Sequence, residues 1–158
     1  FDFSLRIMHI IDKLAPIENE RLLRLLLPLY YKKRLTENMR NIIEDDIERI
    51  RPRMNIYKTS GFILTEKNLS NISFRKADSL NENNRGIKEI YEEEISSGIT
   101  QILSVSKSIS KDYLYSELNI LLDFSILTKE IRETYDKAVN YLVSRNIVKE
   151  DKSTLFLI

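Results

Sequence analysis

The side chains of this sequence best suited to chemistry are cationic and clustered. RIRPRMNIYK carries Arg49, Arg51, Arg53 and Lys58 within a few residues of one another. Lys32, Lys33 and Arg34 form a run shortly upstream, and Arg40 lies between the two groups. Guanidinium and ammonium groups at this density suit phosphate oxygens, which accept charge-assisted hydrogen bonds whatever base they carry. Tyr57, in the same stretch, has a flat face that can stack on an unpaired base. A purely structural role competes with this one. Arginines that end a helix complement its dipole, and Asp45, Asp46 and Glu48 are near enough in sequence to pair with them.

Other chemistries find little material. Cysteine is absent, which removes disulfides, thiolate zinc sites and cysteine nucleophiles. His9 stands alone beside an apolar stripe, with no local partners for a zinc site or a Ser-His-Asp triad. Gly61, Gly86 and Gly98 are isolated and no GK[ST] follows any of them, so a phosphate-binding loop is excluded. Carboxylates cluster at Glu44, Asp45, Asp46 and Glu48, and again at Glu92, Glu93 and Glu94. Their spacing is that of solvated helix faces, not of a metal-centred pair. No catalytic residue, metal or cofactor is expected.

The elements that must position the cations follow from the bulk pattern. Hydrophobic residues make up 42% and charged residues 31%, a soluble globular composition. No apolar run approaches the ~20 residues needed to span a bilayer. The longest, LLRLLLPLYY at 22–31, is broken by Arg24 and Pro28. No signal peptide is visible, and the start on Phe1 points to a piece of a longer, cytoplasmic protein. The net charge of +1 is unevenly spread. Residues 1–64 hold 12 Lys/Arg against 9 Asp/Glu, whereas residues 91–158 hold 8 against 11.

LTENMR at 35–40 and LTKEIR at 127–132 point to an internal repeat. At a constant offset of 92, Ile7 matches Ile99, Ile17 matches Ile109, Leu22 matches Leu114, Leu26 matches Leu118 and Thr36 matches Thr128. Arg40 matches Arg132 and Arg53 matches Arg145 in the same ungapped register. In the first copy, Ile7, Ile10, Ile11 and Leu14 make one helical stripe, ended by Pro16. A short extended piece at Ile17 precedes a helix carrying Leu22, Leu23, Leu26 and Leu27. Thr36 caps a third helix with a stripe of Met39, Ile43, Ile47 and Ile50, closed by Pro52. MNIYKTSGFIL then reads as a hairpin turning at Ser60-Gly61. The second copy repeats the order, with Thr128 as cap, Ile131, Tyr135, Val139 and Leu142 as the stripe, and NIVKEDKSTLFLI as the hairpin.

Helix, short strand, helix, helix, hairpin is the order of a winged helix. The expected fold is therefore mainly α with small β-hairpins, two tandem winged-helix-like (helix-turn-helix) domains at 1–64 and 89–158. A polar linker spans 65–88, with a short strand at NISFRK and a loop over SLNENNRG, and EIYEEEI opens the first helix of the second copy.

The pattern of API (15–17), KKRLTENMRNIIEDDI (32–47), SGFIL (60–64), FRK (74–76), EIYEEEISSGITQIL (89–103) and IRETYDKAVNYLVSRNIVKEDKSTLFLI (131–158) resembles a C-terminal domain of unknown function. That domain ends large bacterial and archaeal proteins built around a superfamily I helicase, often with a very-short-patch-repair-like nuclease domain and associated with defence against foreign DNA. The resemblance implies a non-catalytic accessory module, with the upstream helicase and nuclease domains of the same polypeptide as partners and no membrane.

Together, pattern and resemblance make DNA the expected ligand. The candidate contacts are Lys32, Lys33, Arg34, Arg40, Arg49, Arg51, Arg53, Tyr57 and Lys58 in copy one, with Arg132 and Arg145 in copy two. The alternative is a protein-interaction scaffold that docks those upstream domains or self-associates. Copy two fits that role better, because Lys129, Arg132 and Lys137 interleave with Glu130, Glu133 and Asp136. Tyr113, Tyr115 and Phe124 there serve core or partner.

Overall fold

In the computed structural model, which describes residues 3–78 and 83–158, the chain is mainly helical with two small antiparallel sheets of three strands. It divides into two compact units, Phe1–Asn71 and Ile72–Ile158.

In the first unit, α1 (Phe3–Leu14) is followed by β1 (Ile17–Glu18), α2 (Asn19–Leu26), α3 (Glu37–Met54), and the hairpin β2 (Tyr57–Thr59) and β3 (Phe62–Leu64). α4 (Glu66–Ser70) closes the unit. The stripes read from the sequence turn inward. Ile7, Ile11, Leu22, Leu26, Met39, Ile43, Ile47 and Ile50 are all buried in one core with Ile63 of β3. Thr36 caps α3 through its hydroxyl, which accepts from the Met39 amide at 3.2 Å. His9 lies exposed on α1.

The second unit runs α5 (Glu92–Ser106), β4 (Ser108–Ser110), α6 (Lys111–Leu122), α7 (Lys129–Ser144) and the hairpin β5 (Val148–Asp151) and β6 (Thr154–Leu157). Its core gathers Ile95, Ile99, Leu103, Leu114, Tyr115, Leu118, Tyr135 and Val139. Thr128 caps α7 as Thr36 caps α3, accepting from the Ile131 amide at 3.2 Å.

The offset of 92 holds in the backbone as well. Ile17 faces Ile63 across β1 and β3, and their counterparts Ile109 and Leu155 face each other across β4 and β6. Lys58 opposite Ile63 matches Glu150 opposite Leu155. Both hairpins turn through two left-handed residues, Ser60 and Gly61 at φ 51° and 78°, and Lys152 and Ser153 at φ 50° and 64°. Two-residue hairpin loops favour that geometry because it matches the right-handed twist of the strands. The turn after the second helix is left-handed in both copies too, at Tyr31 (φ 56°) and Asp123 (φ 60°).

Three expectations are corrected. α3 does not close at Pro52 but continues to Met54 with the proline inside it. Proline lacks only its own amide, so the ladder loses the single bond to the Glu48 carbonyl, and the helix still closes beyond the ring. The stop comes at Asn55, left-handed at φ 53°, whose amide donates to the Arg51 carbonyl at 3.0 Å. Among the described residues NISFRK makes no strand.

Nor do residues 65–88 form a free linker. α4 belongs to the first unit, tied by the Asn68 side chain to the Ala15 carbonyl at 3.4 Å. Residues from 72 onward belong to the second unit, where the Ala77 amide donates to the Leu121 carbonyl at 2.8 Å. The Phe74 ring lies so close to α5 that a Cβ at Gly98 would come within 2.6 Å of it. Part of the loop expected over SLNENNRG, residues 79–82, lies outside the described residues.

Candidate nucleic-acid interface

Two elements anchor the turn that carries Lys32, Lys33 and Arg34. Before it, the half-buried Tyr30 donates to Asp46 Oδ2 at 2.6 Å and packs edge-on against the Phe3 ring at 4.9 Å. Burial raises the Tyr30 hydroxyl above its ordinary pKa, and the Asp46 hydrogen bond raises it further. After it, the half-buried Leu35 packs against the core. Between these anchors the chain turns tightly, with the Tyr31 amide on the Pro28 carbonyl at 3.1 Å and the Thr36 amide on the Arg34 carbonyl at 3.2 Å. Lys32, Lys33 and Arg34 are all exposed, and among the described residues no carboxylate pairs with them.

The other cations of this unit are already engaged. Arg40 holds Glu20 through a two-pronged contact, with Nη2 to Oε2 at 3.0 Å. That hydrogen bond holds the Glu20 carboxyl below its ordinary pKa. Arg49 donates to Asp46 at 2.8 Å. Arg51 donates from Nε to the Ile56 carbonyl at 3.2 Å and reaches Glu48 at 3.3 Å. Lys58 on β2 meets the same Glu48 at 2.6 Å and lowers its pKa. Glu48 thus ties the end of α3 to the hairpin. Arg53 is exposed in the last turn of α3, and Tyr57 is exposed on β2.

In the second unit Arg132 reaches Asp112 at 3.9 Å and sits over the Tyr115 ring at 5.7 Å, while Arg145 sits over Tyr141 at 5.2 Å. The repeated Arg40/Glu20 and Arg132/Asp112 pairs have both members 92 positions apart. Each joins the start of its third helix to the first turn of its second, through paired hydrogen bonds in the first unit and a looser 3.9 Å approach in the second.

The outward row of α3 is not cationic. Asn38, Asn41, Asp45 and Glu48 are exposed at spacings of three and four, opposite the buried stripe, and no Lys or Arg stands among them. A phosphate approaching that row would meet the Asp45 carboxylate and a Glu48 already held by Arg51 and Lys58. The structure therefore separates Lys32, Lys33 and Arg34, exposed on one turn without a carboxylate partner, from Arg40, Arg49, Arg51, Lys58 and Arg132, which each meet an acid, while Arg145 lies over a ring and Arg53 stands exposed at the end of α3.

Two features escaped the sequence. Tyr31, at the tip of the basic turn, has its side chain almost entirely in solvent, at 95% exposure. Its signal was positional, since it matches Asp123 in the repeat and immediately precedes the three cations. The second is an ion triad in the other unit. Glu94 is fully buried and accepts from Arg75 Nε and Nη2, both at 3.0 Å, and from Arg85 Nη1 and Nη2 at 2.7 and 2.9 Å. Burial pushes the Glu94 carboxyl up, but the hydrogen bonds from Arg75 and Arg85 outweigh it and hold the pKa below the ordinary range. Among the described residues no group of three or more His, Asp or Glu is placed to hold a metal ion. No helix there is long and apolar enough to cross a membrane.

No family model, curated protein or solved structure matches the chain.

Proposed function

We propose that this chain is a non-catalytic accessory module of two winged-helix-like units, and that the first unit holds DNA by its phosphates for a larger helicase–nuclease protein. The element order, and sheets in which the hairpin's second strand lies between the other two, support the winged-helix assignment. The larger context rests on the resemblance of the motifs from API to the terminal hairpin.

One observation carries the DNA assignment. Lys32, Lys33 and Arg34 project together from a turn braced at both ends, with no carboxylate partner among the described residues. Phosphates gain most from cations that need not abandon another partner first. Arg40, Arg49, Arg51 and Lys58 would have to exchange a carboxylate for a phosphate, so they contribute less. The absence of Lys and Arg from the outward row of α3 also favours a grip on the turn over that helix in the major groove.

Three phosphate contacts release about three counterions, so log affinity against log salt should fall with a slope of about −2 on single strands and about −3 on duplex. Fluorescence anisotropy of labelled DNA across a salt series checks this. Binding that ignores salt would remove the assignment.

A groove of about 660 Å³ in the second unit favours a protein-docking role there. Phe74, Ile102, Val105, Ile109, Tyr113 and Leu121 line it, with Val105 and Tyr113 well exposed. Self-association measured by sedimentation, and lost in Val105→Glu/Tyr113→Glu, would support that role. A monomer at all concentrations would remove its self-association form.

A further inference from the structure

We propose that Tyr31 stacks on an unpaired base while Lys32, Lys33 and Arg34 hold the neighbouring phosphates, so that the nucleic acid this turn takes is single-stranded or locally unpaired. The inference rests on the nucleic-acid assignment above and names the form of that ligand.

The internal repeat supplies the comparison. Both units place a left-handed residue at this point, Tyr31 at φ 56° and Asp123 at φ 60°, so the fold requires the conformation. Asp123 suits it, because Asp and Asn are the side chains that enter the left-handed region most readily. Tyrosine suits it poorly, and packing does not compensate, since the ring is 95% exposed. The next position diverges too. Phe124 packs against the core of its unit, whereas its counterpart Lys32 is exposed. Where the second unit continues with Ser125 and Ile126, the first continues with Lys33 and Arg34. The first unit has thus converted an ordinary turn into an aromatic ring followed by three cations.

That combination is what single-strand recognition uses. Cations track the backbone, and an exposed aromatic face receives a base, whichever base it is. In a duplex the base faces are covered by their neighbours, so a ring on a turn gains nothing from stacking there. The brace formed by Tyr30 and Leu35 holds the turn before the ligand arrives, which reduces the ordering cost of binding.

The chain contains no tryptophan, so Tyr31→Trp introduces a single indole whose emission reports on this site alone. The variant and the wild type are titrated with a single-stranded oligonucleotide and with its duplex, beside Tyr31→Ala and the triple reversal Lys32→Glu/Lys33→Glu/Arg34→Glu. The single strand should quench the indole, and Tyr31→Ala should weaken single-strand binding about tenfold while changing duplex binding by less than about twofold. If Tyr31→Ala binds the single strand as the wild type does, and the indole is not quenched, stacking is overturned. Binding lost in the triple reversal would then leave the phosphate grip standing. If no form binds even at low salt, both the stacking and the DNA assignment fall.

Discussion

Glu94 illustrates how a single residue organises its surroundings. It is the third glutamate of an acidic run at the start of α5, where Glu92 and Glu93 are exposed and helix dipole and solvent both suit a carboxylate. Glu94 instead points inward, and two arginines from earlier in the chain surround it. Removing one member of a buried ion group leaves the others unpaired, so Glu94→Gln should cost about 3–5 kcal/mol, read from urea unfolding. Because the folded pKa lies below the ordinary 4.5, the triad's contribution is complete above that pH and is lost as pH falls through the lower folded value. Wild-type stability should therefore drop on acidification below pH 4.5 more steeply than that of Glu94→Gln.

Gly98 is a second such position. Gly98→Ala should destabilise by about 1–3 kcal/mol through the clash with Phe74, and should cost clearly less in a Phe74→Leu background. In the sequence, Glu94 read as one more solvated acid because its partners stand 9 and 19 positions away, beyond any helical spacing.

At the scale of elements the sequence was far more legible. Apolar residues at spacings of three and four marked the buried face of α3 residue by residue and that of α7 except for Ala138, and Thr36 and Thr128 marked their starts. The turn signal at Ser60-Gly61 located the first hairpin. The second was harder, because Lys152 and Ser153 adopt the same left-handed pair without a glycine. That mismatch gives a prediction. Lys152→Asn/Ser153→Gly supplies the residues this turn favours and should stabilise the second unit by about 1 kcal/mol, seen as a raised urea midpoint. What failed was the end of α3, where a proline in the final turn proved compatible with helix, and the stretch 65–88. Its polar composition resembled a linker, while its anchors are a buried amide side chain, an aromatic ring and two arginines.

For the whole molecule, the repeat explains both what is shared and what is not. Fold, strand register and turn geometry recur at a single offset, and so does the ion pair between the second and third helices. Charge does not recur, and the basic turn belongs to the first unit alone. The boundary between units also has a testable consequence. A fragment of residues 72–158 should unfold cooperatively, whereas one of residues 89–158 lacks Arg75 and Arg85, leaves Glu94 buried without them, and should be markedly less stable by circular dichroism.

The central claim is that the turn before α3, and not the basic end of that helix, grips DNA. The most direct measurement compares DNA affinity at low salt for two charge reversals of the whole chain, Lys32→Glu/Lys33→Glu/Arg34→Glu and Arg49→Glu/Arg51→Glu/Arg53→Glu. The turn variant should lose binding by about a hundredfold or more and flatten the salt dependence, while the helix-end variant falls less. Undiminished binding in the turn variant, with loss confined to the helix-end variant, would contradict the claim.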